Sequence, residues 1–456
     1  MLTYDLKKTP AVPLYEALYR CIRADILSGQ LAPGEKLPSK RALAVNLEVS
    51  KITVETAYQQ LLAEGYIRSR EKVGYFVESI RRAEPAQPRE EVTRKAEIAP
   101  MLELTAGGSE GFPFSVWSKL QREVMLDYGE KLLLPLENQG LFSLRQAISE
   151  HLRAFRGMRV DPENILVGAG TDFLYNLLIQ LLGRDKTYAV EEPGYGKIRQ
   201  IYAAGGVRCV SIPMDEKGVI PGALGDAQVL HISPSHHFPT GLVTPVQRRE
   251  ELLNWSKTAE KWIIEDDYDS EFRFDAHPMP TMYTMDGGHR VIYMNSFSKT
   301  LAPSIRISYM VLPGGLMSEF QKKLGFYGCT VPSFEQYTLE RFLRRGHFEK
   351  HINRLRKSYK IKRNQVISLL QSCTFSDKLA IEEHSSGLHF LLRLDTAHTD
   401  RELVDLLADA GIRAHTLSHY YAGEVPPTSH RCLVINYSGL SVDALGLALD
   451  KLAQLL

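Results

Sequence analysis

Long apolar runs are missing from this chain of 456 residues. No segment approaches the roughly 20 consecutive apolar residues that a membrane-spanning helix needs, so no such helix is expected. The segment from Met1 to Lys8 also lacks the apolar core of an export signal. Hydrophobic residues make up 44% and charged residues 24% of the chain, values typical of a globular protein. We therefore expect a cytoplasmic protein.

Cysteine is scarce, and its distribution excludes two common uses. The five cysteines are scattered, odd in number and without the paired spacing of a metal site: Cys21, Cys209, Cys329, Cys373 and Cys432. Reduced, mostly buried thiols are therefore expected, with no disulfide framework and no metal centre. Neither sign of charge predominates, since the formal net charge is only +1. A nucleic-acid partner must therefore be argued from sequence pattern.

The first part of the chain has the pattern of three helices and a hairpin. Apolar residues recur at helical spacing over residues 14–28. Ser39 and Ser50 each stand where a side-chain cap can begin a helix. A short hairpin with a charged tip follows over 66–77. This order predicts a winged helix-turn-helix domain over residues 1–78, and the alternative is a three-helix interaction module.

The composition changes at residue 79. Residues 79–100 lose apolar periodicity and gain charge and proline, as is typical of a linker. From 101 to 456, strand-like and helix-like segments alternate, which predicts an α/β domain with a mostly parallel sheet. We expect a large part over 101–333 and a smaller C-terminal α+β part over 334–456.

Lys299 is the most informative residue of this second region. It lies in the segment Asn295-Ser-Phe-Ser-Lys-Thr-Leu-Ala-Pro-Ser-Ile-Arg306, directly after an apolar stretch. A lysine just past a buried strand, with serines and an arginine around it, is well placed to form a Schiff base beside a phosphate. Pyridoxal phosphate needs an amine for its aldehyde, and cations and hydroxyls for its phosphate. These residues therefore indicate a pyridoxal phosphate site.

Four further segments also follow predicted strands, where α/β sheets place their ligands. Gly168-Ala-Gly-Thr-Asp172 joins glycines to a helix start, an arrangement that binds phosphate but is often only structural. Glu265-Asp-Asp-Tyr268 offers a carboxylate for the pyridinium nitrogen and a tyrosine for the ring hydroxyl; a metal site or a solvated acidic loop is the alternative. His236 and His237 suit a hydrogen bond to the ring hydroxyl better than a metal, because no partner at metal spacing lies nearby. Tyr195 can stack on a flat ring.

Together these segments resemble known families. Residues 101–456 resemble the fold type I, aspartate aminotransferase-like enzymes that use pyridoxal phosphate. The whole chain resembles the MocR subgroup of GntR-type transcription regulators, which join a winged helix to such a domain. The strongest matching segments are Phe238-Pro-Thr-Gly241, Glu265-Asp-Asp-Tyr-Asp-Ser-Glu-Phe-Arg273 and Ser296-Phe-Ser-Lys-Thr-Leu-Ala-Pro303.

The resemblance also implies roles for single residues in the cofactor site. Lys299 would carry the Schiff base, and Asp266, chosen over Asp267, would meet the ring nitrogen. Tyr268 would contact the ring oxygen, and Tyr195 would stack on the ring. His237, which stands where the subgroup often has glutamine, is counted with the cofactor-binding residues. The phosphate would be held by Ala169, Gly170, Thr171, Ser296, Ser298 and Arg306.

One departure from the family concerns the substrate carboxylate. Fold type I enzymes usually bind it with an arginine in a late strand, and the matching segment here, Cys432 to Tyr437, contains none. A planar guanidinium is the normal partner of a carboxylate. The remaining candidates for an effector carboxylate are Arg431 at the edge of that segment, Arg413, and Lys197 two residues after Tyr195. This departure weakens the case for efficient transamination.

Residues 38–58 resemble the helix-turn-helix of the GntR family, which lays the start of its second helix in the major groove of DNA. The resemblance implies that DNA is contacted by Arg41, Ser50, Lys51 and Thr53 from the helices, and by Arg70, Lys72 and Gly74 from the wing. Glu55 falls where many relatives carry arginine. A glutamate there can accept a hydrogen bond from cytosine N4, so we expect Glu55 to read a cytosine or to orient Lys51.

The preferred interpretation is a pyridoxal phosphate-dependent, DNA-binding transcription regulator. It would sense an amine, an amino acid or pyridoxal phosphate itself through Lys299. The resemblance implies operator DNA as a partner and a head-to-tail homodimer. The alternative is an aminotransferase with an appended DNA-binding domain, and a further alternative gives the cofactor a purely structural role. We expect regulation rather than steady catalysis, with half of a transamination as residual chemistry.

Overall fold

The computed structural model describes residues 2–4, 6, 12–79, 102–105, 107–108, 111–258, 260–274, 279–383 and 387–453. The chain forms two compact units, which divide between Glu97 and Ile98. Apart from Ser79, the predicted linker over 79–100 lies outside the described residues. Within the described part, no helix has the length and apolar character needed to cross a membrane.

The first unit is a small helical bundle with a two-stranded hairpin. Its elements are α1 (Leu14–Ser28), α2 (Lys40–Asn46), α3 (Lys51–Ala63), β1 (Ile67–Arg70) and β2 (Gly74–Val77). Ser39 and Ser50 cap α2 and α3 as the sequence predicts, because each side chain accepts a hydrogen bond from a first-turn N–H at 3.2 and 3.1 Å. β1 and β2 pair antiparallel. The core of this unit consists of buried aliphatic and aromatic side chains, among them Leu18, Ile22, Leu43, Val54, Tyr58 and Leu61.

The second unit is built on an eight-stranded sheet with the order β4-β11-β10-β9-β8-β5-β6-β7. Its strands are β4 (Ile165–Gly168), β5 (Thr187–Glu192), β6 (Arg208–Asp215), β7 (Gly218–Val219), β8 (Val229–Ile232), β9 (Trp262–Asp266), β10 (Val291–Ser296) and β11 (Ser308–Val311). The neighbours from β10 through β6 run parallel. β4, β11 and β7 pair antiparallel at the two sides.

Helices cover both faces of this sheet, so strands such as β4, β8 and β11 are buried along their whole length. The helices of the large part are α4 (Phe114–Tyr128), α5 (Phe142–Arg156), α6 (Thr171–Leu182), α7 (Gly196–Ala204), α8 (Val246–Lys257), α9 (Met282–Asp286), α10 (Gly314–Leu324) and α11 (Ser333–Arg344). Successive residues of β9 belong to different hydrophobic cores. Ile263 lies in a core that includes residues of α5, and Ile264 lies in a core that includes residues of α6. Burying each such side chain contributes about 1.5–3 kcal/mol.

A long helix, α12 (His347–Ser372), leads into a smaller C-terminal part. That part contains an antiparallel sheet of β12 (Leu379–Glu382), β13 (His389–Leu394) and β15 (Cys432–Asn436), together with α13 (Asp400–Asp409) and α14 (Val442–Leu452). A short parallel pair joins β14 (Ile412–Arg413) to β3 (Leu102–Glu103). The predicted fold class is therefore confirmed: a winged helix-turn-helix precedes an α/β aminotransferase-like domain with a mostly parallel sheet and a smaller α+β part.

Candidate functional site

A cavity of about 360 Å³ opens at the carboxyl ends of β5, β8, β9 and β10. Its size falls within the range of small-molecule sites, roughly 300–1,000 Å³. It collects most of the residues that the sequence assigns to a cofactor: Thr171, Tyr195, Asp266, Tyr268, Ser296, Ser298, Lys299 and Arg306. Most of these residues stand at or just after the carboxyl ends of different strands, and the sheet brings those ends to one edge.

Lys299 supplies an amine to this cavity. It lies in the turns after β10, where protein surrounds it on most sides. This burial lowers the pKa of the Lys299 amine below its usual value, and the nearby Asp269 carboxylate opposes that shift. A larger fraction of the amine is therefore uncharged at neutral pH, which is the form that attacks a carbonyl.

The two adjacent acids after β9 point to opposite sides. Asp266 lines the cavity, and its Oδ2 accepts a hydrogen bond from Tyr175 at 2.5 Å. Its Oδ1 is buried and has no partner among the described residues. Asp267 instead forms an ion pair with Arg156, at 2.8 Å between Nη2 and Oδ2, and accepts a hydrogen bond from Tyr293. The strand period of two therefore makes Asp266 the acid that can meet a ligand in the cavity.

Behind Asp266 lies a buried polar chain that includes a histidine. His231 Nε2 is 3.6 Å from Asp266 Oδ2, and His231 Nδ1 is 2.7 Å from the Tyr202 hydroxyl. Burial, together with the Asp266 carboxylate, raises the pKa of Tyr175 well above its usual value. Tyr175 thus keeps its proton and remains a donor to Asp266.

Gly170 and Arg306 meet where α6 begins. Gly170 has φ 91° there, and a Cβ on this residue would lie only 2.4 Å from Arg306 Nη2. Arg306 Nη2 also lies 3.3 Å from the Ala169 carbonyl oxygen and 3.4 Å from Asp172 Oδ2. The Ser298 N–H donates to Ser296 Oγ at 3.0 Å. A guanidinium, hydroxyls and a helix start thus converge, which is the arrangement that binds phosphate.

Tyr195 and Tyr268 lie on other walls of the cavity. Tyr195 is half exposed, and its ring centroid is 6.0 Å from that of Phe238. The Tyr268 hydroxyl is 3.3 Å from His236 Nδ1, which is itself 2.7 Å from Asp269 Oδ2. The sequence places His237 with the cofactor, but in the structure its Nδ1 is 2.7 Å from Thr240 Oγ1 and it is not among the described residues that line the cavity.

Two of the three predicted effector residues lie away from this cavity. Arg431 donates to the Thr396 carbonyl oxygen at 2.6 Å and borders a different surface depression. Arg413 Nη1 is 3.7 Å from Glu103 Oε2. Lys197 does line the cavity, with its Nζ 2.8 Å from Asp172 Oδ2. Arg431 directly precedes β15, but its guanidinium is bonded to Thr396, and it is not among the described residues that line the cavity.

Sequence reasoning missed several residues of the cavity wall. Some of them are surrounded by no local motif, namely Tyr175, Arg199, His231, His389 and Asn436. Phe238 begins the segment Phe238-Pro-Thr-Gly241, but the sequence assigned it no role in the site. A histidine inside the otherwise apolar strand Val229-Leu-His-Ile232 was the one available signal, because a buried strand rarely holds an imidazole without a partner.

In the first unit, the residues assigned to DNA lie on α2, at the start of α3 and in the hairpin. Glu55 pairs with Lys40 of α2, at 2.6 Å between Oε1 and Nζ, and this hydrogen bond lowers the pKa of Glu55. The structure therefore pairs Glu55 with Lys40, and Glu55 does not orient Lys51 as the sequence analysis expects. Lys40 Nζ also lies 5.5 Å from the Tyr75 ring centroid, so it bridges α3 and β2.

The remaining DNA candidates are arranged as a helix start and a turn. Arg41 follows Lys40 in α2, and Lys51 begins α3 directly after its cap Ser50. The Ser50 hydroxyl is 2.8 Å from that of Thr53. At the hairpin tip Arg70 pairs with Gly74, and Lys72 has φ 58° in the turn between them.

Fold and site together define a class of protein: a helix-turn-helix unit joined to an aminotransferase-like unit with a partly buried lysine in its cavity. The family "Bacterial regulatory proteins, gntR family" matches residues 14–77, and "Aminotransferase class I and II" matches residues 99–452.

Known regulators match nearly the whole length of this chain. The chain is 35% identical to the HTH-type transcriptional regulator YdeL of Bacillus subtilis (strain 168), over 99% of this chain and 98% of YdeL. It is 31% identical to the "Probable rhizopine catabolism regulatory protein MocR" of Rhizobium meliloti, over 95% of this chain and 92% of MocR. The chain therefore belongs to the MocR subgroup of GntR-type transcription regulators. Its second unit is similar in fold to a kynurenine aminotransferase of Pyrococcus horikoshii, with a TM-score of 0.68 and 23% identity over 78% of this chain and 91% of that one.

Proposed function

We propose that this protein is a pyridoxal phosphate-dependent transcription regulator that senses a small amine-containing molecule at Lys299. One observation carries the proposal. In a chain with a GntR-family DNA-binding domain, a single cavity combines a buried lysine amine, a carboxylate oxygen without a partner among the described residues, and an anion site.

The residues present fit the cofactor. Asp266 Oδ1 is an acceptor without a donor, as a protonated pyridine nitrogen requires. Gly170 leaves room that a Cβ would fill beside Arg306. When bound, pyridoxal phosphate supplies an aldehyde that condenses with primary amines and a ring that withdraws electrons. Lys299 would hold the cofactor covalently, and Asp266 would fix the charge of its ring.

The other cavity residues would position the cofactor. Tyr268 would contact the ring hydroxyl, and Tyr195 would cover one face of the ring. The phosphate would be held by Ala169, Gly170, Thr171, Ser296, Ser298 and Arg306. His237 would act from behind the cavity wall, through Thr240 or Glu191.

The regulatory output would be a change in DNA binding. Arg41, Lys51 and Thr53 would contact operator DNA, with the hairpin tip as the wing. An effector can alter this binding only if its affinity differs between two arrangements of the protein. A homodimer, arranged head to tail, would present two such DNA readers to a two-fold operator.

An aminotransferase is the alternative function. The lowered pKa of Lys299 favours it, because an uncharged lysine is also the base that transamination needs. Steady turnover of an amino donor with a keto acid would support the enzyme. DNA binding that depends on Lys299 without turnover would support the regulator.

The test follows cofactor and operator in parallel. Purified full-length protein is incubated with pyridoxal phosphate, its absorbance spectrum is recorded, and the bound cofactor is trapped with borohydride and located by peptide mass mapping. We expect trapping at Lys299, and footprints on upstream DNA that Lys299→Ala alters. Lys322→Ala, at an exposed position on α10, is the matched control. Colourless protein that borohydride cannot trap at Lys299 would refute the proposal.

A further inference from the structure

We propose that the effector is a primary amine with an apolar or aromatic substituent and without a carboxylate. The inference rests on the proposed function, because it takes the cavity around Lys299 as the site of both cofactor and effector. The candidate effectors are thereby restricted from amines and amino acids in general to amines without a carboxylate.

The basic side chains of the cavity are already engaged. Among the described residues that line it, Lys299 and Arg306 belong to the proposed cofactor site. Lys197 is already paired, with its Nζ 2.8 Å from Asp172 Oδ2. Asp172 Oδ2 also lies 3.4 Å from Arg306 Nη2, so Asp172 is paired with two cations. A carboxylate on a ligand would have to displace Asp172 to bind either cation.

Arg199 is the remaining cation of the lining, and it too is engaged. Its Nη1 lies 3.4 Å from Glu192 Oε2 and 3.3 Å from Ser211 Oγ. Glu192 in turn accepts hydrogen bonds from the N–H groups of Ala422 and Gly423. Moving Arg199 to a ligand would leave a half-buried carboxylate without its cation, which costs free energy.

Part of the cavity wall is apolar. Phe238 lines the cavity and packs against a buried cluster of the small part, namely Leu391, Leu417, Tyr420, Cys432 and Val434. The Phe238 ring centroid is 5.1 Å from that of Tyr420 and 6.0 Å from that of Tyr195. An aliphatic or aromatic substituent would find contact surface here.

His389 and Asn436, two polar residues of the cavity lining, are uncharged at neutral pH. Burial lowers the pKa of His389 well below its usual value, and its Nε2 is 3.1 Å from the Pro239 carbonyl oxygen. Asn436 Oδ1 accepts two hydrogen bonds from Ser438, at 3.1 Å from N and 2.7 Å from Oγ, so its amide nitrogen is what it offers a ligand. Asp266 and Asp269 also line the cavity. A carboxylate here would give up its hydration for one neutral donor, the Asn436 amide, in a cavity that also holds the Asp269 carboxylate. An amine without a carboxylate avoids this cost.

Matched pairs of probes test the inference on the full-length protein loaded with cofactor. 2-Phenylethylamine is compared with L-phenylalanine, and 3-methylbutylamine with L-leucine, because each pair differs only in the carboxylate. The change in cofactor absorbance and the change in operator affinity are measured against probe concentration. We expect each amine to reach half-saturation at a concentration at least roughly tenfold below that of its amino acid.

The apolar wall is tested by Phe238→Ala, with Phe238→Leu as the milder variant if alanine prevents folding. The preference for 2-phenylethylamine over methylamine should fall by roughly tenfold, since a buried aromatic contact is lost. Phe326→Ala, at a residue that is 77% exposed, is the matched control and should leave that preference unchanged.

The outcomes separate the two proposals. Cofactor absorbance that responds to amino acids as well as or better than to their amines overturns the effector class and leaves the proposed function in place. Absorbance that no probe changes also overturns the effector class. Protein that binds no cofactor at all overturns the proposed function, and the inference falls with it.

Discussion

Replacing Gly170 by alanine isolates the phosphate part of the proposed site. Gly170 precedes α6 with φ 91° and ψ 160°, a conformation that only glycine adopts readily. The new Cβ would also lie 2.4 Å from Arg306 Nη2. Because this distance is far below van der Waals contact, the guanidinium must move away from the start of α6.

The expected magnitude has two parts. The strained backbone should lower the free energy of unfolding by about 1–3 kcal/mol. Displacing Arg306 removes a charge-assisted hydrogen bond to the phosphate, worth about 1.5–3 kcal/mol. Affinity for pyridoxal phosphate should therefore fall by roughly 10- to 150-fold, while affinity for pyridoxal, which lacks the phosphate, should change little.

Gly183 provides the matched control at the other end of α6. It has φ 111° and ψ 148°, and a Cβ there would lie 2.4 Å from Asp185 Oδ1, so Gly183→Ala imposes a similar strain and a similar clash with a charged side chain. Both variants should lose stability in urea denaturation, but only Gly170→Ala should lose phosphate-dependent affinity in absorbance titrations. Equal losses for pyridoxal phosphate and pyridoxal, or wild-type affinity for both, would refute the reasoning.

Three further predictions concern other parts of the chain. Asp267→Asn should lower the free energy of unfolding by about 3–5 kcal/mol, because Arg156 stays buried without its counter-ion; a loss below about 1 kcal/mol in urea denaturation would contradict this. Glu55→Ala should weaken base discrimination at one operator position. Because it frees Lys40 for a phosphate, it should also steepen the slope of log operator affinity against log salt concentration by about one. Unchanged discrimination at every position would show that Glu55 reads no base. Burial raises the pKa of Glu191 to about 8, so the folded state keeps a proton that the unfolded chain releases. The contribution of Glu191 to the stability of the cofactor-free protein should therefore be lost as pH rises from about 5 to 8. Glu191→Gln should flatten that slope in denaturation measured across pH.

The sequence predicted those parts of the site in which a functional residue directly follows a strand. Lys299 and Gly170 stand shortly after β10 and β4, and Asp266 is the last residue of β9. Because parallel strands end at one edge, strand assignment alone was enough to group them. The choice of Asp266 over Asp267 came from family resemblance, and strand alternation now gives it a physical reason.

Residues whose partners come from distant elements were not predictable in this way. Tyr175 lies within the apolar run of α6 and had the pattern of a core residue. Asn436 and His389 enter the cavity from β15 and β13, so their position depends on how the small part packs on the large one. Glu55 shows the same limit: Lys51 was the evident partner at helical spacing, but the packing of α2 against α3 brings Lys40 closer.

The buried Asp266 oxygen links the stability of the second unit to its function. A buried carboxylate oxygen without a hydrogen bond costs about 1–3 kcal/mol, and neighbouring Asp267 shows that the same strand can place an acid in an ion pair instead. The cost is removed when a donor from a ligand reaches Oδ1. Cofactor binding then stabilises the folded state further, by an amount that grows with the logarithm of cofactor concentration. Asp267 Oδ1 also lacks a partner among the described residues, but its carboxylate is already paired with Arg156 and does not line the cavity. Asp266 lines the cavity, so a donor on a bound ligand can reach its oxygen.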